Sequence, residues 1–463
     1  MRKKSFAHIK CSRNELRGLI FSAALLFLFI SVIVSCTTMA DYDFSTVEQN
    51  TSQGRFTVAA DLLKQDANRI YTQHDQVLYG LDQGMLLHFA GKSDESTTFL
   101  SQAEQKIFDY YSKSITQGIG AYITNDTVMD YSGETYEDIY TNIFMALNYI
   151  DKNDTENAMV EIRRFDNKLK EVSAQYQNQI YQMKSQVDQK QIVDNSQIIS
   201  TSNIEFHNSA LARYLSMILY RAEGDISSAQ VDMNLLNSAF VTEPDLYTFT
   251  LPTTLKEELV VDETKARLNL ISFTGKAPVK YEESTRIVFP DGLYYKIAYP
   301  GMQKRGSSVN SIRLVAKNEL TGEVYNANAE KIESIENIAF DTFKQKQALV
   351  YGRALVRSLF KTSTTAIFGS MEEKSTTNED KTLYRMLRSF SSIANEITER
   401  ADVRTSRYFP ALASVTGISL PPGTYTITVS YADVAGRTFA VQSAEHFEIK
   451  RNQINLIESV CLK

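Results

Sequence analysis

The residues best equipped for chemistry are thinly spread along these 463 residues. Ser358 and Lys361 stand in the SxxK order of serine acyl-enzymes, and Ser308 and Asn310 make the accompanying S-x-N. No Lys-Thr-Gly completes the set and Ser358 falls inside a helical pattern, so the match reads as coincidence. Of five histidines, His8 lies in a leader and His74, His88, His207 and His446 show neither HExxH nor a paired spacing. Cys11, Cys36 and Cys461 are too few and too scattered for a zinc site. GxSxG, Walker and GxGxxG loops are missing, and paired acids such as Glu137-Asp138 and Glu372-Glu373 read as solvated charges. Arg404 and Arg407 are the most interesting polar pair: salt bridges fixing a crossing from helix to strand are the commoner use of such a pair, and anion binding is the other. No catalytic residue, metal or cofactor is expected.

The elements that would position these residues begin with Tyr131 to Phe165, which reads as two antiparallel helices. Thr135 with Asp138 and Asp154 with Asn157 supply start signals, and Lys152-Asn153 supplies the break. Ile139, Ile143, Ala146, Leu147 and Ile150 form one apolar stripe, and Ala158, Ile162 and Phe165 the facing one. Glu161, Arg163 and Arg164 flank the pair as surface charges, and Tyr140, Arg163 and Arg164 are the candidates for contact with a partner. Two further pairs share a spacing that resembles the tetratricopeptide repeat, one through Gly84, Leu87, Gly91, Ser96, Leu100 and Ala103, the other through Met217, Tyr220, Gly224, Ala229, Met233 and Leu236. The copies lie about twice the usual repeat length of 34 apart, which predicts intervening helices. Leu169, Val172, Tyr176, Ile180, Met183 and Val187 extend the second stripe into a long helical arm, which either packs on its own return segment around Ile192 to Ile204 or pairs with another chain as a coiled coil.

From Pro244 to about Glu263 the helical period blurs, and beyond it apolar residues alternate, which marks a domain boundary. Strands are expected at 266–273, 285–289, 293–299, 311–317, 420–431, 437–450 and 453–460, with turns at Pro290-Asp291-Gly292 and Thr321-Gly322. Helical patterns at Ile332 to Phe360 and Leu383 to Ile397, with a loop over Ser370 to Asp380, predict an inserted hairpin. The expected fold class is α+β: a TPR-like helical array over 55–245, then a small β-sandwich over 264–463 interrupted by that hairpin.

Composition, 43% apolar and 22% charged, excludes a disordered tail. Six basic residues precede an apolar run from Leu19 to Val34, an export signal over residues 1–35. The ending Ile33-Val34-Ser35-Cys36 resembles the lipobox of bacterial lipoproteins, which implies a lipid on Cys36, residues 36–54 as a polar tether, and a membrane as partner. Thr37, rather than an acid, resembles the outer-membrane sorting pattern. Removing residues 1–35 takes away those six cations and Glu15, which deepens the net charge from −6 to −11 and argues against nucleic acid. Cys461 is then left without a mate.

Several phrases resemble an uncharacterised family of bacterial tetratricopeptide-like lipoproteins: Gly133-Glu134 with Tyr136-Glu137, Asn142, Ala146-Leu147-Asn148-Tyr149, Val160-Glu161 with Arg163-Arg164, Gly275-Lys276-Ala277-Pro278, Ala401-Asp402-Val403-Arg404 with Arg407 and Pro410, and Leu420 to Tyr425. Members are often encoded beside small lipoproteins that activate penicillin-binding proteins, which implies a role in envelope assembly linked to peptidoglycan synthesis. The favoured expectation is a protein-binding scaffold at the cell envelope. The alternatives are a surface glycan- or nutrient-binding lipoprotein, for which 25 tyrosines would replace the absent tryptophan, and an envelope enzyme of unrecognised type.

Overall fold

The three-and-four spaced stripes fold as helices through the first half of the chain, in a computed structural model that describes residues 42–116, 129–189, 206–288, 294–374, 381–382, 384 and 399–463. In chain order these are α1 (Ser45–Ser52), α2 (Phe56–Gln65), α3 (Ala67–Ile70), α4 (Gln76–Phe89), α5 (Ser93–Thr116), α6 (Thr135–Asp151), α7 (Thr155–Gln189), α8 (Ala210–Glu223) and α9 (Ile226–Thr242). Asn153 turns the central pair with a φ of 56°, and the Asp154 carboxylate accepts the Asn157 backbone N–H at 3.1 Å, as the sequence predicts. Helix α6 starts one residue earlier than expected. Glu134, not Thr135, holds the N-cap, and the Glu137 carboxylate accepts its backbone N–H at 2.8 Å. All the predicted stripe residues of the pair are buried.

Among the described residues no extra helix separates the pairs, whose second helices are long, 24 residues in α5 and 35 in α7; residues 117–128 and 190–205, where intervening helices are expected, lie outside the described residues. Residues 45–52, placed within a tether, instead form α1, because the N-cap Phe44 and Val47 at i, i+3 give it an apolar side that is buried. The leader, Cys36 and the return segment around 192–204 lie outside the described residues. No described helix is long and apolar enough to cross a membrane.

The second half is strand-rich, so the fold is mixed α and β. The strands are β1 (Ala266–Thr274), β2 (Val279–Val288), β3 (Tyr294–Gln303), β4 (Ser311–Asn318), β5 (Val324–Asn328), β6 (Glu330–Ser334), β7 (Leu412–Leu420), β8 (Gly423–Ala432), β9 (Thr438–Ile449) and β10 (Asn455–Cys461). One sheet has the order β10-β1-β7-β6 with β1 and β10 parallel, a second has β5-β4-β8-β9, and β2-β3 is a separate hairpin. Helix α10 (Ile335–Lys374) follows β6. Ile332 therefore belongs to a strand rather than to the expected helix, and the helix continues through Ser370 to Lys374, where a loop was expected. The expected second arm of the hairpin, 383–397, and the Pro290 turn lie almost wholly outside the described residues.

Strand β1 explains how the halves meet. All nine of its residues are buried, because both its faces are covered. Leu268 and Leu270 pack with Leu314, Ile427 and Val429 of the second sheet, while Ile271 and Phe273 join the core of the helices. The order of layers is thus helices, first sheet, second sheet, and one continuous core joins the first two across residues 245–263.

Candidate functional site

Of the residues nominated for partner contact, only two reach the surface. Tyr140 is fully buried on α6, its hydroxyl donating to the Glu333 carboxylate, so it cannot lie on a docking face. Arg163 is exposed. Arg164 is half-exposed and held by Glu104 at 2.5 Å and Glu161 at 2.9 Å; Glu161 itself is buried rather than solvated. His88 is buried between the Asn148 side chain and Glu458, each at 2.7 Å. Burial opposes its positive charge, but the Glu458 carboxylate outweighs this and raises its pKa.

Arg404 and Arg407 lie close in sequence but do different work. Arg404 donates to Asp402 at 2.8 Å and Asp75 at 2.9 Å and to the Met129 carbonyl at 3.0 Å, with Tyr131 stacked 5.3 Å from its guanidinium. That is the structural use of an arginine. Its charge, with that of Lys280, overcomes burial and holds the Asp402 carboxyl at about 2. Arg407 instead belongs to a basic junction between the helices and the first sheet. Its backbone N–H is accepted by Asp82 of α4 at 2.8 Å, and its guanidinium lies 3.7 Å from the centre of the Phe44 ring at the start of α1.

Two more cations reach this junction, one from the end of a strand of the first sheet and one from the end of the hairpin. Lys276 follows β1, where Gly275 takes a φ of 64° and a Cβ would stand 3.0 Å from Ser307 and 3.2 Å from Ala411. Its ammonium meets the Glu48 carboxylate of α1. Arg305 follows β3 and donates to the carbonyls of Ala277 at 2.6 Å and Arg407 at 2.5 Å. Burial and the two neighbouring guanidiniums press Lys276 down to about 8, and burial brings Arg305 to about 10. Tyr136 and Tyr408, both fully buried, sense the same guanidinium charges.

The acid Glu137, read as solvated, is instead buried beside this junction. It accepts from Tyr131 Oη at 2.7 Å and from Ser406 N at 2.6 Å. Lys276, Arg407 and Tyr408 sit in or beside the phrases 275–278 and 401–410, so that signal was present in the sequence; Asp82 and Arg305 stand alone and carried none. Among the described residues no group of three His, Cys, Asp or Glu could hold a metal ion. Compared with protein families, curated proteins and solved structures, the chain matches none.

Proposed function

We propose that the protein is a lipid-anchored cell-envelope scaffold, held through Cys36 at the outer membrane and presenting its helices to an envelope protein that takes part in peptidoglycan synthesis. The observation that carries this reading is helix α7. Its 35 residues span roughly 52 Å at 1.5 Å per residue, and Leu169 is the last of its described side chains to be buried. Beyond that point the described side chains, Lys170, Glu171, Ala174, Asn178 and Tyr181, are all exposed, Tyr181 by 73%. A long helix that carries an exposed aromatic side chain suits recognition of a second protein.

We read the three helix pairs as a TPR-like array. Small residues admit large neighbours in it, as where Gly84 of α4 leaves room for Leu100 of α5. The test places a photocrosslinking residue at Tyr181 or Arg163 in intact cells. A discrete adduct with one envelope protein is expected at one of the two positions and not at the buried Tyr140. No adduct at either, together with turnover of a cell-wall fragment by the purified chain, would replace the scaffold with the enzyme alternative.

A further inference from the structure

The basic junction holds more donors than acceptors. Arg305 is fixed by two carbonyls, which orient its charge without neutralising it. Glu48 gives Oε2 to Lys276, and its Oε1 lies 4.0 Å from Arg407, so one carboxylate serves two cations. Asp82 is already engaged by Ser406 Oγ at 2.7 Å, Arg407 N at 2.8 Å and Tyr71 Oη at 2.8 Å. Three buried donors are left without a partner: the hydroxyls of Tyr136 and Tyr408 and the Nε of Arg407. Buried donors are nearly always satisfied, and unsatisfied ones gathered around guanidiniums mark the place of an absent acceptor. The Glu48 edge of the junction meets solvent: the side chains of Arg407, Glu48 and Lys276 are 30%, 27% and 14% exposed.

The missing acceptor has to take hydrogens from several separate side chains. A planar carboxylate is matched best by one free guanidinium fork, whereas here the Arg305 fork is occupied by carbonyls and Arg407 lies against a ring. A tetrahedral oxyanion accepts from several directions at once. We propose that Lys276, Arg305, Arg407 and the hydroxyls of Tyr136 and Tyr408 form a binding site for a phosphate-class oxyanion, with Glu48 on α1 as the built-in carboxylate that this anion displaces. The site stands apart from the exposed arm of α7 and does not depend on the scaffold reading. An added negative charge would also relieve the repulsion among these cations, which adds to burial in lowering the Lys276 and Arg305 pKa values.

The test is calorimetric titration of the full chain with inorganic phosphate at low ionic strength, with phosphatidylglycerol vesicles as a second arm. Saturable binding is expected, weakened about tenfold or more by Arg407→Gln and tightened several-fold by Glu48→Gln. Tyr408→Phe separates ligation from packing: it should weaken phosphate binding while leaving unchanged or raising Tm in phosphate-free buffer, since it removes an unpartnered hydroxyl. Binding to the vesicles but not to free phosphate assigns the same chemistry to a lipid headgroup. The proposal is overturned if neither binds, if chloride at matched ionic strength gives the same heat and thermal shift, or if folded Arg407→Gln binds as wild type does. Should Arg407→Gln fail to fold, unchanged affinity in Tyr408→Phe overturns it instead.

Discussion

Glu137 is a carboxyl group held where ionisation is unfavourable. Burial, then the charge of Glu134, raises it from an ordinary 4.5 to about 7 despite three donated hydrogen bonds. A raised acid favours the fold while protonated, so its contribution is full below pH 4.5 and is lost as pH climbs towards 7, a swing of roughly 3 kcal/mol. Urea unfolding of the wild type should therefore show stability falling between pH 5 and 8, and Glu137→Gln, although weaker overall, should show a flatter profile. Parallel profiles would mean that Glu137 does not titrate in this window. At the same scale, on the proposal that Cys36 is lipidated, Cys36→Ala is expected to leave the leader uncleaved by the lipoprotein pathway; a variant that matures and fractionates as wild type does would overturn that assignment.

Helix pairs were legible because burial repeats with the helical period, and the close contact in the first pair shows what that period must accommodate. A Cβ on Gly84 would stand 2.6 Å from Leu100 Cδ2. Gly84→Val should accordingly cost about 1–3 kcal/mol in denaturant unfolding as α4 and α5 are forced apart, while Gly224→Asn at the left-handed cap of α8, with open space beyond it, should cost less. Helix α6 defeats the same period. Tyr136, Tyr140, Phe144 and Leu147 are buried together with Asn142 and Asn148, so the helix has almost no outward face and a tyrosine off the main stripe still lands in the core. Strand β7 was hidden for a related reason: covered on both sides, it has no clean alternation to read. The basic junction was legible only in fragments, since its members come from six separate segments and nothing local to Arg305 or Asp82 records what they face.

At the scale of the molecule, the shared core makes the first sheet the floor of the helical half. Phe273 of β1 packs against Phe144 of α6, with ring centres 5.1 Å apart, and against Phe89 of α4 at 6.5 Å. Phe273→Ala should cost about 3–5 kcal/mol and lower the melting of helical ellipticity and of the near-ultraviolet tyrosine signal together. Separated transitions would show instead that the helical half holds together without its floor. The topology also fixes an order of events. Leu268 is flanked by Ile418 on one side and Asn455 on the other, both of which are synthesised long after it. At 5–20 residues per second, β1 waits on the order of ten seconds with both edges open and apolar side chains on both faces. A strand of that kind is a template for misassociation until its neighbours arrive. Shielding of this single segment during biogenesis, by a chaperone or by delayed release, is thus a demand of the fold rather than of the function.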